Sequence, residues 1–289
     1  MAAVGACLFN PPAAQAVRGI GISPTNTELS VHAGDKLNGE LTIINDGDTD
    51  VTYKLYATDY GVKGEEYVGD FTSDATKANV SAAKWFGLPA ANATIKARDQ
   101  VKVPYAVTVP ANASVGGHYA AVFVETVPPK STGGSVINRV DRLASIFYIA
   151  VDGNLNQAGH VAELKAPWLQ ALPPITGLLR LTNDGNVHFG ADVTFTLESP
   201  FGRIGQGQNY HGEVLPGTTR RFAASLPTGS AIGLYKLSAE VKYLDTTENL
   251  SRWVLLVPRL TFMIVSGSLL LMVAVLVAGW WRRLRRHRR

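Results

Sequence analysis

Leu41-Thr-Ile-Ile-Asn-Asp-Gly47 returns further along the chain as Leu179-Arg-Leu-Thr-Asn-Asp-Gly185, and this repeat decides the fold. In each copy a short apolar and β-branched run, which suits a strand, meets three residues that favour a turn. In the turn the glycine can take positive φ without steric cost. A second matching pair follows. Val109-Pro110 with Gly117-His-Tyr119 corresponds to Leu226-Pro227 with Gly233-Leu-Tyr235. A polar turn precedes each strand that ends at the proline: Ala97-Arg-Asp-Gln100 in the first copy, Pro216-Gly-Thr-Thr219 in the second. The order is strand, Asn-Asp-Gly turn, return strand, then a later turn into a tyrosine-bearing strand. That order suits an immunoglobulin-like sandwich built twice.

Outward from the repeat, LTIIN (41–45), VTYKLYATDY (51–60), VKVPYAVTV (101–109), HYAAVFVET (118–126) and ASIFYIAV (144–151) read as strands. The expected class is all-β: tandem immunoglobulin-like β-sandwiches over 20–152 and 160–252, followed by one C-terminal transmembrane α-helix. The absence of a Cys…Trp…Cys pattern excludes an antibody-type domain. Pro128–Ser135 reads as an exposed loop between strands 118–126 and 144–151, which together form a long hairpin attached to the first domain. Ala166–Pro174 reads as the connection between domains and the start of the second sandwich.

From Leu260 to Trp281, 22 consecutive residues carry no ionisable side chain. As a helix they reach roughly 33 Å, enough for a hydrocarbon core of about 30 Å. Trp280 and Trp281 suit the headgroup belt. Arg282, Arg283, Arg285 and Arg286 open a basic tail over 282–289, which marks the cytoplasmic side. The expectation is a single-pass protein of the cell membrane with its sandwiches outside the cytoplasm. The last strand, ending near Trp253, leaves few residues before Leu260, so the second sandwich is expected to sit almost on the bilayer.

The charge follows the same division. Six of the 27 basic residues lie after Trp281, leaving 21 against 23 acidic ones in the rest of the chain. A mildly acidic ectodomain gives no electrostatic case for binding nucleic acid. The single cysteine, Cys7, rules out an intrachain disulfide and a multi-cysteine metal site. Ala14-Gln-Ala16 suits signal-peptide cleavage, so 1–16 reads as a signal peptide; Val4-Gly-Ala-Cys7 offers an alternative, lipidation at Cys7.

No catalytic constellation emerges. The six histidines are scattered, no serine sits in a G-x-S-x-G elbow, and His118 reads as structural. Asp46, Asp48 and Asp50 alternate as in a calcium loop but lack its downstream glutamate, so a turn is the better reading. Gly202-Arg-Ile-Gly-Gln-Gly207 reads as a hairpin loop. Leu226-Pro-Thr-Gly229 and Leu215-Pro-Gly-Thr-Thr219 are incomplete as sorting signals and lie too far before the anchor. No cofactor or metal is expected, and the chain reads as non-enzymatic. The residues left for ligand contact are Trp85 and Phe86. They read either as a plug of the sandwich core or as an exposed aromatic platform on which a sugar could stack.

The layout resembles the WxL-interacting proteins of Gram-positive bacterial surfaces. Ile22-Ser-Pro24 is similar to that family's opening, Leu41–Tyr53 to its first hairpin, and Val109-Pro110 through Gly116-Gly-His-Tyr-Ala120 to the segment before its long hairpin. That hairpin resembles Val122–Val151, with Gly133-Gly134 at its tip. The resemblance covers 20–152 and implies peptidoglycan, or another wall or surface component, as the partner of the first sandwich. The alternative is a chaperone-like or scaffold module that binds a protein partner by β-strand addition.

Overall fold

The computed structural model describes residues 19–72, 80–89, 92–128, 140–200, 207–228 and 232–286. The proposed signal peptide, Cys7, Gly133-Gly134 and most of the 202–207 glycine cluster lie outside them. Close contacts divide the chain at Asp152/Gly153, with Val62–Asp70 and Val115–Gly117 joining the second unit. Ala166–Pro174 lies within the second unit.

The first half of the chain forms β1 (Ile20–Ser23), β2 (Asn26–Val31), β3 (Lys36–Asn45), β4 (Val51–Asp59) and the mutually paired β5 (Gly61–Lys63) and β6 (Val68–Asp70). A single 3-10 turn, Ala83–Trp85, leads into β7 (Phe86–Gly87), β8 (Ala93–Ile95), β9 (Asp99–Thr108), β10 (Gly116–Thr126) and β11 (Arg142–Val151). In the first unit a sheet ordered β1-β3-β9-β7 accompanies one ordered β2-β11-β10-β4-β8. The second half forms β12 (Gly159–Lys165), β13 (Leu169–Gln170), β14 (Ile175–Asn183), β15 (Phe189–Glu198), β16 (Gln208–Val214), β17 (Thr219–Leu226), β18 (Gly233–Tyr243) and β19 (Thr246–Leu256). Its sheets are ordered β12-β14-β17 and β13-β19-β18-β15-β16. One helix, α1 (Arg259–Arg286), ends the chain.

The expected class is what the structure has: two immunoglobulin-like sandwiches and a C-terminal apolar helix. The repeat is topological. In each unit an opening strand pairs antiparallel in one sheet (β1 with β3, β12 with β14). The next strand crosses to the other sheet and runs parallel to the last strand (β2 with β11, β13 with β19).

Strand periodicity explains the cores. Along β15, Phe189, Ala191, Val193, Phe195 and Leu197 are buried at every second position, in one core with their same-sheet neighbours Leu237 and Val241 and with Leu179 and Leu181 of the other sheet. Each such aliphatic or aromatic side chain contributes about 1.5–3 kcal/mol on burial. β10 departs from alternation: from Gly116 to Val124 every residue is buried, because this strand is central and covered on both faces. The two strands read as a long hairpin, 118–126 and 144–151, are β10 and β11, hydrogen-bonded neighbours inside the five-stranded sheet.

The Asn-Asp-Gly turn is also not a hairpin. β3 and β4 lie in different sheets, as do β14 and β15, so the motif is a corner where the chain changes sheet. The asparagine makes the corner. Asn183 is fully buried; its Nδ2 donates to Val187 O (2.9 Å) and Val214 O (2.7 Å), and its Oδ1 accepts from Gly185 N (2.8 Å). Asn45 repeats this with Thr49 O (2.8 Å), Lys96 O (3.0 Å) and Gly47 N (3.0 Å). One side-chain amide thus satisfies carbonyls that a corner leaves without ladder partners. Gly185 is needed for close approach, not for positive φ: a Cβ there would lie 2.2 Å from Asn156 O.

Candidate functional site

β11 is held unequally along its two edges. On one side it neighbours β10, with Thr126 N donating to Asp141 O (2.9 Å). On the other, β2 pairs from Ile146↔Asn26 to Val151↔Val31 and stops. Among the described residues, no strand pairs with Arg142–Ser145 on that side. Ile146 N donates to Thr25 O (2.9 Å), so even-numbered residues of β11 direct their main-chain groups toward this edge. The N–H and C=O of Arg142 and Ala144 therefore point outward.

The side chains flanking this edge differ by face. On one face Arg142 stacks over Phe123, 3.8 Å from the ring centre, and Phe123 packs on Tyr56 (5.5 Å) and edge-on to Phe71 (4.9 Å). Tyr56 donates to Glu125 (2.6 Å), which also meets Lys54 (2.8 Å). Lys54 and then Tyr56 hold the Glu125 carboxyl below its usual range, whereas burial and this hydrogen bond push Tyr56 up to about 12. These rows hold Arg142 in place beside the open main chain. On the opposite face Leu143 is exposed. Ser145 is buried, and its hydroxyl has no hydrogen-bond partner among the described residues. A buried hydroxyl left unpaired is costly and calls for a partner.

The second unit has a comparable edge with a different character. β13 pairs with Leu255 and Leu256 of β19, and no described strand pairs with the earlier residues of β19 on that side. There the side chains are exposed and polar: Thr246, Thr247, Asn249, Ser251 and Arg252. Polar and charged residues on an edge strand discourage pairing with another chain. The first unit's edge differs in presenting exposed Leu143, and its one exposed charge, Arg142, is packed over Phe123.

The residues singled out in the sequence fall elsewhere. Trp85 is 8% exposed and belongs to the first unit's core, its ring 4.6 Å from that of buried His118. Phe86 is half-buried against Phe147 (4.7 Å) and Tyr105 (6.1 Å). The aromatic platform is corrected to a core plug, since a stacking ring needs an open face. His118 Nε2 donates to Ser114 O (2.7 Å). Asp48 and Asp50 serve the turn above them: Asp48 pairs with Arg98, and Asp50 meets Lys96 Nζ (2.8 Å) and Ala97 N (3.0 Å). Lys96, then Ala97 N–H, holds the Asp50 carboxyl below its usual range. Among the described residues no group of His, Cys, Asp or Glu could hold a metal. Thr261–Trp281 is long and apolar enough to cross a membrane, with Trp280 and Trp281 exposed near its end and Arg282, Arg283, Arg285 and Arg286 completing α1.

No family model matches the chain, and no curated protein does. Solved structures with a similar course exist. A chain of the CsuC–CsuE chaperone–tip adhesion subunit complex of Acinetobacter baumannii is 14% identical, covering 80% of this chain and 97% of that one, at TM-score 0.43. A chain of the Salmonella enterica SafA pilin–SafB chaperone complex is 13% identical, covering 84% and 98%, at 0.42. A chain of the chaperone–tip adhesin complex of CFA/I fimbriae biogenesis is 10% identical, covering 82% and 98%, at 0.42. At this level the likeness concerns architecture. The resemblance to WxL-interacting proteins is corrected: no family model carries it. The motifs behind it were strand and turn residues that any such sandwich needs. Peptidoglycan as ligand falls with it.

Proposed function

We propose that this chain is a non-enzymatic, membrane-tethered protein that binds an extended segment of a protein partner by strand addition to Arg142–Ser145. The observation carrying this reading is that β2 covers only Ile146–Val151, which leaves outward main-chain groups beside an exposed leucine. An added strand would pair with Arg142 and Ala144 and cover Leu143. Main-chain bonds would supply affinity, and Leu143 and Arg142 would supply selectivity.

Ala144→Pro tests it. The Ala144 N–H points away from β10, so proline removes an outward donor without breaking the ladder. The expected result is that the wild-type chain co-purifies with one dominant membrane-extract protein, Ala144→Pro loses it, and Ser251→Pro on the guarded β19 edge keeps it. Retention by Ala144→Pro, with unchanged melting temperature, would refute the assignment.

The tether is Thr261–Trp281, with the arginine-rich end in the cytoplasm and both sandwiches outside. The span's length, its tryptophans and the following arginines support this orientation. The chain should resist alkaline carbonate extraction, and its sandwiches should be cleaved by protease added outside intact cells. Release by carbonate would contradict it.

A further inference from the structure

We infer that the second sandwich does not merely hang from its helix but seats an apolar patch in the lipid headgroup region. The inference rests on the reading of Thr261–Trp281 as a membrane span. Leu169 pairs with Leu255, and Leu255 with Leu234, so three leucines lie side by side across β13, β19 and β18. Trp253, two residues earlier on β19, shares their face. Trp253 is 53% exposed and Leu234 43%. Around this row stand Trp168 (72%), Leu172 (71%) and Ile232 (51%). Of the ten large apolar residues exposed outside the helix among the described residues, five belong to this one end of one sandwich. Scattered apolar residues on a surface are ordinary, whereas a contiguous group marks a contact.

The place of the patch names its occupant. Leu255 N donates to Trp168 O (2.8 Å) and Val257 N to Gln170 O (2.9 Å), while α1 starts at Arg259. Main-chain bonds therefore fix the patch to the last residues before the span. At about 3.6 Å per residue, the five steps from Leu256 to Thr261 reach at most roughly 18 Å. The headgroup region adjoining the hydrocarbon is therefore within reach of the patch. Its chemistry fits: indole rings favour the interface, and Arg259 can extend its guanidinium to lipid phosphates. The seated surface would hold the sandwich on the bilayer, where a single flexible connection would let it swing.

The test uses the full chain with Cys7→Ser, reconstituted in nanodiscs of phosphatidylcholine and phosphatidylglycerol. Spin labels are attached one at a time through Leu172→Cys, Ile232→Cys, Asp245→Cys at the β18–β19 turn, and Leu270→Cys within the helix. Collision with oxygen, which concentrates in lipid, is compared with collision with a water-soluble nickel chelate. Leu172 and Ile232 should show an oxygen-to-nickel ratio several-fold above that of Asp245 and below that of Leu270, as the headgroup depth requires. If Leu270 is lipid-like while Leu172 and Ile232 match Asp245, the seating is refuted and the span stands. If Leu270 itself is water-like, the span is refuted and the seating with it. Low collision with both reagents at Leu172 and Ile232 marks a protein neighbour and overturns the lipid assignment.

Discussion

Truncating Asn183 to alanine should cost far more than truncating Asn45, although both occupy the same corner of the repeat. The Asn183 amide serves Val187 O and Val214 O in fully buried surroundings and accepts from Gly185 N. Each lost bond costs about 1–1.5 kcal/mol, and buried carbonyls left unpaired add to that, so Asn183→Ala should lose about 3–5 kcal/mol. At Asn45 two of the three acceptors, Thr49 O and Lys96 O, belong to exposed residues, where water can replace the amide, and only the longer bond, to Ile95 O (3.3 Å), is buried. Asn45→Ala should therefore cost about 1–2 kcal/mol. Calorimetry should resolve this as a fall of roughly 10–20 °C in the second unit's transition for Asn183→Ala and much less in the first unit's for Asn45→Ala. Asn183→Asp sharpens the test. A carboxylate facing two carbonyl oxygens repels them, whereas the protonated acid can still donate, so burial raises this group's folded pKa. Its deficit relative to wild type should then be smallest at acid pH and grow as pH rises. Equal costs at Asn45 and Asn183, or an Asn183→Asp deficit that does not change with pH, would refute the role given to the corner.

His188 is buried and its pKa is lowered to about 4 by desolvation, so the folded state favours the neutral ring. A depressed histidine contributes stability that is fully present above its unfolded pKa near 6.5 and is lost as pH falls toward 4. The second unit should lose up to about 3 kcal/mol over that window, and His188→Gln should flatten the slope in denaturant titrations at several pH values. Gly185→Ala, whose Cβ would strike Asn156 O, should lower the same unit's melting temperature, whereas Gly217→Ala, with no neighbour near its Cβ, should disturb only through its positive φ of 66°. A neutral Gly185→Ala would contradict the close approach.

Much of this architecture is legible in the sequence. Asn-Asp-Gly recurs because both corners need a buried side-chain amide, and alternation in 179–183 and 189–198 shows directly which residues face the core. The reading of the corner as a hairpin failed because asparagine, aspartate and glycine suit either, and the sheet a strand joins depends on distant partners. The unbroken apolar run in HYAAVFVET signals a strand covered on both faces and could have placed β10 at the sheet's centre. The site is harder to read. It lies where β2 (NTELSV) begins, since parallel pairing sets Asn26 against Ile146, and the one sequence signal for that boundary is Pro24, which cannot donate to a ladder. Trp85 leaves two readings open for a different reason: a tryptophan in a polar stretch fits a plug as well as a platform, and its packing against His118 decides for the plug.

Amide hydrogen exchange resolved at Arg142 and Ala144 tests the central claim most directly. In the unbound protein both should exchange fast while Leu143 and Ser145, directed at β10, exchange slowly, and capture of the partner should protect Arg142 and Ala144. Protection of those two amides before any partner is bound, or fast exchange persisting in the complex, would contradict strand addition at this edge.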